Sequence, residues 1–442
     1  MTVYYAEHAW LPTGPATSVR LVVEHGRFTA VEPHSHLGPD DIPLPGVVLP
    51  GLANTHSHAF HRALRGRTQG GHGNFWTWRE SMYAVARRLS PDSYLALARA
   101  TYAEMALAGT TAVGEFHYLH HTPVGRPYAD PNVMGETLVR AAADAGIRLT
   151  LLDTCYLAGG LTGEGHVPVG EHQRRFSDGS VEAWAARAGA RAAHPLVRLG
   201  AAIHSVRAVP RDDLALIAEI VGDQPLHIHL SEQPAENVAT SVHYGRTPTQ
   251  LLADTGILRP SLTAVHATHL TDDDIALLGD AEAQVSFCPT TERDLADGIG
   301  PARHLADAGV SLSLGSDEHA VIDPFEEIRG LEMHERLLTG ERGRFTPDEL
   351  MEAATSSGYR SLGWDDGGAL APGRLADLVA VRDDTVRTVG VRAGQIAYAA
   401  TAEDVDTVMV GGQLIVERGE HLRLGPIAPL FRDAFDILRE EG

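Results

Sequence analysis

The feature that most restricts this chain is an alternation that fills its middle. The short apolar runs TTAVGEF, RLTLLDT, RLGAAIH, PLHIHL, LTAVHA, AQVSF and SLSLGSD are separated by Ala- and Leu-rich stretches such as PDSYLALARATYAEMALAG, VMGETLVRAAADAG and PARHLADAG. Runs too short for helices, alternating with stretches of helical period, predict a parallel sheet covered by helices. Roughly eight repeats over about 320 residues predict closure into a (β/α)₈ TIM barrel. Polar, metal-competent residues recur where a run ends. In a barrel those ends converge on one face, so side chains far apart in sequence meet there.

The flanks read differently. From Val3 to about Val48 apolar and polar residues alternate in short stretches (SVRLVVEHGRFTAVEP) broken by Gly and Pro, the pattern of antiparallel strands. From about Arg374 the same pattern returns in ADLVAVR and TVMVGGQLIVERGEH, and PLFRDAFDILREE reads as a closing helix. Neither flank holds enough residues for a core alone. The expectation is one small β-sandwich domain built from residues 1–48 and 368–442 and interrupted by a catalytic barrel at 49–367.

Composition excludes several classes. A net charge of −22 repels phosphate backbones and argues against nucleic acid. No apolar run reaches the length of a membrane span, and MTVYYAEHAWLPTG has no basic segment of a secretory leader, so a cytoplasmic protein without membrane partners is expected. Cys155 and Cys288 are too few for a disulfide framework, which fits a reducing compartment. All of the 36 basic residues counted as Lys or Arg are arginine. Schiff-base chemistry, lysine bases and carbamylated-lysine metal bridges are therefore outside this chain's reach.

The first run, VVLPGLANTHSHAFHR, ends in His56-Ser57-His58, whose histidines point the same way at a period of two. PLHIHLSEQ supplies His227, His229 and then Glu232; LTAVHATHL supplies His266 and His269; SLSLGSDEH ends in Asp317. Four run ends thus offer histidines and a carboxylate that one barrel mouth could gather into a metal site.

PGLANTHSH, HIHLSE, HATH and the final GSD resemble the amidohydrolase superfamily over essentially the whole chain. The resemblance implies metal ligands at His56, His58, His229 and Asp317, with Glu232 as the proton-shuttling acid/base and His266 beside the hydrolytic water. His227 and His269 are left to structural roles. Because no lysine can bridge two metals, one ion per chain is expected: Zn²⁺, with another divalent ion such as Fe²⁺ as the alternative.

Finer motifs, FWTWRESMY, EFHYLHH, HSVRAV and TTERDLADGIGP, are similar to the formimidoylglutamate deiminase family of histidine degradation. That family hydrolyses N-formimidoyl-L-glutamate to N-formyl-L-glutamate and ammonia. The resemblance implies substrate contacts at Arg79, Tyr118, His204 and Arg207, and at His61, where the family typically has Gln, together with a homodimeric assembly. A dicarboxylate substrate agrees with arginines at the barrel mouth, since a guanidinium grips a carboxylate with two hydrogen bonds. Competing readings are a mononuclear deaminase or chlorohydrolase of a nucleobase or triazine, and a non-catalytic barrel relative. The first wants stacking and amide contacts in place of arginine clamps; the second would have lost ligands that are all present here.

Overall fold

The fold is described from a computed structural model, over residues 1–189 and 194–440. Strands β1 (Thr2–Leu11), β2 (Gly14–Glu24), β3 (Arg27–Glu32) and β4 (Ile42–Pro50) open the chain. The barrel strands are β5 (Leu52–Ser57), β6 (Thr110–His117) and β7 (Arg148–Cys155), then, after a small hairpin β8 (Gly160–Thr162) and β9 (Gly165–Val167), β10 (Val197–Ile203), β11 (Leu226–Leu230), β12 (Leu262–His266), β13 (Gln284–Phe287) and β14 (Ser311–Leu314). The chain returns to the first sheet with β15 (Leu378–Val381), β16 (Val405–Val410), β17 (Gln413–Glu417) and β18 (Glu420–His421), and ends in a helix over Ile427–Glu440. Every apolar run of the repeat became a barrel strand.

All barrel strands are parallel, in the order β14-β13-β12-β11-β10-β7-β6-β5. The side chains of β5, β6, β7, β11, β12 and β13 are buried on both faces, as expected for strands with a packed interior and a coat of helices. Closure between first and last strands happens at the site-bearing end: the N–H groups of Ser316 and Asp317 donate to the carbonyl of His56 at 3.1 and 2.9 Å, and that of His58 to the carbonyl of Asp317 at 3.2 Å. Only glycine at 315 permits this approach, because a Cβ there would sit 2.7 Å from the Cβ of His56 and 3.0 Å from the Cys288 sulfur.

The small domain is one hydrogen-bonded sheet from both chain ends, ordered β18-β17-β16-β15-β4-β1-β2-β3, with its own apolar cluster around Leu21, Phe28, Val48 and Leu378. Its strands pair antiparallel except that β4 lies parallel to β1, because the connection after β3 carries the chain back to the free edge of β1. β4 continues to Pro50, opposite Leu378, so the sheet leads directly into the first barrel strand. Arg148, at the start of β7, grips Asp377 with Nε–Oδ2 and Nη2–Oδ1 bonds of 2.7 and 2.9 Å, and Tyr359 donates to the same carboxylate at 2.8 Å. A buried, bidentate and fully bonded pair of this kind keeps the domain seated on the end of the barrel opposite the site.

Two α-helices separate β5 from β6, and the first of them shapes the mouth. α1 (Phe75–Arg88) starts at Asn74, whose side chain accepts from the N–H groups of Trp76 and Thr77; α2 (Pro91–Leu107) starts at a Ser90 capping box with Pro at its first position. On α1, Phe75, Trp78, Arg79, Met82 and Tyr83 fall on one face at spacings of three and four, and that face looks into the mouth. Among the described residues, no helix is long and apolar enough to cross a membrane.

Candidate active site

The period-two placement at the end of β5, with His58 just past its last residue, sends both His56 and His58 inward, where His229 on β11 meets them. Nε2 of His229 lies 3.1 Å from Nε2 of His56. Oδ1 of Asp317 lies 3.5 Å from Nε2 of His56 and 3.4 Å from Nε2 of His58. All four residues are buried.

Hydrogen bonding fixes which nitrogens can bind a cation. Nδ1 of His58 faces the carbonyl of Phe116 and Nδ1 of His229 that of His204, both at 2.9 Å. A carbonyl only accepts, so each Nδ1 carries the proton and each Nε2 turns a lone pair inward. Burial, then neighbouring imidazoles, hold His56 and His229 well below the ordinary histidine range and lower His58 to about 3, so the rings stay neutral. Lone pairs facing one another are repulsive unless a cation lies between them. A tetrahedral ion with ligands about 2.0–2.3 Å away separates its ligand atoms by roughly 3.3–3.7 Å, close to the spacings observed here. The donor set therefore fits one divalent ion of the zinc type.

The acid/base candidates border this cluster. Oε1 of Glu232 and Oδ2 of Asp317 each lie 3.8 Å from Nε2 of His266, and Glu292 approaches Nδ1 of the same ring at 3.5 Å. Burial would lower the pKa of His266, but Glu232 above all, with Glu292 and Asp317, raises it to about 10. Burial pushes the Glu232 carboxyl up, against the pull of His266 and Arg207. Ser231, His266, Ala267, Asp317 and His319 all have positive φ, between 40° and 70°. Such left-handed backbone costs energy in non-glycine residues, and its concentration at these strand ends marks where the fold gives up local comfort for placement.

A cavity of about 220 Å³ opens over the cluster, small beside the ~300–1,000 Å³ of sites for drug-sized ligands. His61, Arg79, Tyr118, His204 and Arg207 all line it, together with His58, His229, Glu232, His266 and Asp317. His56 lies beneath it, within the cluster. Nε2 of His61 meets the Tyr118 hydroxyl at 3.0 Å. Arg79 stacks over Trp76 at 4.6 Å, with its buried Nε unpartnered. His227 faces the carbonyl of Ser361 at 3.1 Å, and His269 that of Asp297 at 2.9 Å, so both serve the barrel's internal bonding.

Arg207 is more constrained than its place in the sequence implies. Its Nε donates to Glu236 at 2.6 Å and an Nη lies 3.8 Å from Glu232. Only the outer edge of the guanidinium is left for a ligand. Glu236 is a residue that sequence reasoning missed; it lies in the first turn of the helix Pro234–Tyr244, Glu232 precedes that helix, and no local pattern ties Glu236 to Arg207. Glu292 beside His266 was missed too; no local pattern marks it, since it comes from the helical turn after β13.

Residues 47–415 match the amidohydrolase family. The formimidoylglutamate deiminase of Pseudomonas aeruginosa is 38% identical, across 95% of this chain and 96% of that one. The crystal structure of an amidohydrolase from Brucella melitensis superposes with a TM-score of 0.91 at 32% identity, covering 100% of both chains. An adenosine deaminase from Xanthomonas campestris, solved with bound zinc, shares the fold at a TM-score of 0.84 and 22% identity, over 100% of this chain and 98% of that one.

Proposed function

The chain belongs to the amidohydrolase family and is a hydrolase of carbon–nitrogen bonds, and from that premise we propose that it hydrolyses N-formimidoyl-L-glutamate to N-formyl-L-glutamate and ammonia, a step of histidine degradation. The observation that carries this reading is the pairing, in one small cavity, of the imidazole–carboxylate cluster with the guanidinium groups of Arg79 and Arg207. A substrate with a hydrolysable C=N carbon and two carboxylates satisfies both halves. The relative from Pseudomonas aeruginosa, named for this activity, supports it.

His56, His58, His229 and Asp317 would hold the divalent ion, zinc in this reading with Fe²⁺ the alternative, and when bound it lowers the pKa of a water towards about 7. Asp317 takes the proton of the attacking water, its Oδ2 being turned towards the cavity side and His266. His266, held protonated by the carboxylates around it, donates from Nε2 to the oxygen that adds to the formimidoyl carbon. Glu232, with its raised affinity for a proton, protonates the imine nitrogen; it then takes the proton of the added hydroxyl as the formyl C=O forms and passes it to the departing nitrogen, which leaves as ammonia, and the proton held by Asp317 returns to Glu232. Tyr118 and His204 orient the substrate, Arg79 and Arg207 bind its carboxylates, and His61 acts through its bond to Tyr118.

An ammonia-release screen over N-formimidoyl-L-glutamate, other formimidoyl amino acids, adenosine derivatives and nucleobases tests the proposal. Release from the formimidoyl dicarboxylate far above the rest is expected. Release confined to a nucleobase or nucleoside would refute it and turn attention to the cavity's aromatic walls.

A further inference from the structure

Gln173 stands behind the cavity wall, bonded to the lining residues Tyr83, Tyr156 and Gly159, which the reaction above does not use. It lies in the helical turn Glu171–Phe176 and is 7% exposed. Its Nε2 lies 3.0 Å from the Tyr83 hydroxyl, 2.8 Å from the Tyr156 hydroxyl and 3.0 Å from the carbonyl of Gly159. Its Oε1 accepts from the N–H of Gly170 at 3.0 Å. The two backbone groups fix the orientation of the amide: the Gly159 carbonyl can only accept and the Gly170 N–H can only donate, so nitrogen and oxygen cannot be exchanged.

An amide nitrogen donates and never accepts. Of its two hydrogens one goes to the Gly159 carbonyl and the other is shared between the two tyrosine oxygens, which stand as acceptors towards Gln173, so neither hydroxyl proton is used by that contact. Tyr156 can pass its proton to Tyr83, but the pair still has one O–H left over. Burial raises the pKa of Tyr156, so it remains a proton donor. Tyr83 and Tyr156 both line the cavity, and Arg79 lies beside them, 5.5 Å from the Tyr83 ring, with its Nε unpartnered. The ring of Tyr156 is 4.6 Å from that of His204, which in turn is 5.1 Å from that of His229. Tyr156 thus stands one ring further from the imidazole–carboxylate cluster than His204 does, with Tyr83 beside it on Gln173.

We propose that Tyr83 and Tyr156, turned by Gln173 to donate into the cavity, complete with Arg79 a subsite for the carboxylate farther from the reacting carbon. The proposal rests on the formimidoylglutamate reading for the identity of that group. Tyr83 and Tyr156 are binding residues and Gln173 is a positioning residue. The subsite is a specificity device: it recognises an anion at a set distance from the cluster and leaves the chemistry at the cluster untouched.

The decisive substitution is Gln173→Glu, which keeps the side-chain length but reverses the hydrogen-bond direction. A carboxylate at 173 draws the tyrosine protons to itself and away from a ligand. Tyr83→Phe and Tyr156→Phe remove one hydroxyl each and guard against a folding defect at 173. For all three, KM for N-formimidoyl-L-glutamate should rise roughly tenfold or more, the scale of a lost hydrogen bond to a charged group, with kcat little changed. N-formimidoylglycine, which lacks the distal carboxylate, should be hydrolysed as by wild type. Calorimetric binding of N-formyl-L-glutamate to the metal-loaded protein, weakened to the same degree in the variants, reads the subsite without turnover. Unchanged KM and binding in the tyrosine variants, or equal losses on both substrates, would overturn the proposal. If wild type binds N-formyl-L-glutamate but turns over no formimidoyl substrate, the reaction assignment fails while the binding comparison still decides the subsite.

Discussion

Replacing Arg207 with alanine separates the role that the structure shows, an ion pair with Glu236, from the one proposed for it, a hold on a substrate carboxylate. Its Nε is bonded to Glu236 at 2.6 Å, Glu236 is only 1% exposed, and the other Glu236 oxygen accepts from the Ser231 N–H at 2.9 Å. Removing the guanidinium leaves a buried carboxylate with no counter-charge, and breaking such a pair from one side costs about 3–5 kcal/mol. Urea denaturation of Arg207→Ala should show a loss of that order. Adding Glu236→Gln removes the orphaned charge and keeps an acceptor for Ser231, so the double variant should recover most of the stability. Catalysis should not follow. A substrate carboxylate at Arg207 gains about 1.5–3 kcal/mol for a hydrogen bond to a charged donor, and kcat/KM for formimidoylglutamate should fall roughly 10²-fold in the single and the double variant alike. Formamidine, which has no carboxylate, should lose far less in both, and metal content should stay unchanged. Arg207→Lys should restore part of the rate, since it keeps the charge without the planar fork. If Glu236→Gln brings back kcat/KM together with stability, Arg207 serves only to neutralise Glu236, and its assignment to a substrate carboxylate is wrong.

Glu232→Gln should keep metal and substrate affinity while turnover drops by roughly 10²–10⁴ or more, the worth of a general acid/base step; near wild-type turnover would remove Glu232 from the mechanism. Elemental analysis should find about one divalent ion per chain, because no lysine is available to bridge a second; two mutually bridged ions would contradict the ligand set. Glu115 gives a pH prediction: burial, opposed by bonds from Ser57 and the Ala59 N–H, pushes its carboxyl up to about 7. With its folded pKa above the unfolded value, its contribution is full below about pH 4.5 and is lost as pH rises through 7, a change of about 3 kcal/mol. Glu115→Gln should therefore gain on wild type between pH 5 and 7.5 in denaturation experiments, and a pH-independent difference would refute the shift.

The parts of this molecule legible in the sequence share one physical property: each is a periodicity. Strand period two placed His56 beside His58 and made both face the barrel axis; the β–α repeat put Asp317 and His56 on neighbouring strand ends, where closure joins them. Arg79 is the exception: it was legible only through the resemblance carried by FWTWRESMY, and the helix that sets it on the same face as Phe75 and Met82 was seen in the structure. What stayed hidden depends on direction instead of spacing. Nothing in HSVRAV says that Arg207 turns its Nε towards a helix 29 residues on and spends half its fork there. Nothing in EHQRRF says that Gln173 presents nitrogen, not oxygen, to two tyrosines from different elements. That choice follows from the carbonyl of Gly159 and the N–H of Gly170, two backbone groups whose orientation exists only once the loops have folded. The repeat thus fixes where the imidazole–carboxylate cluster stands, while the polarity of the cavity wall, on which the proposed choice of substrate rests, is written in tertiary hydrogen bonds. Relatives could share every strand-end histidine and still differ in substrate, because a single amide-to-carboxylate change at a position like 173 reverses what the wall offers without moving a ligand.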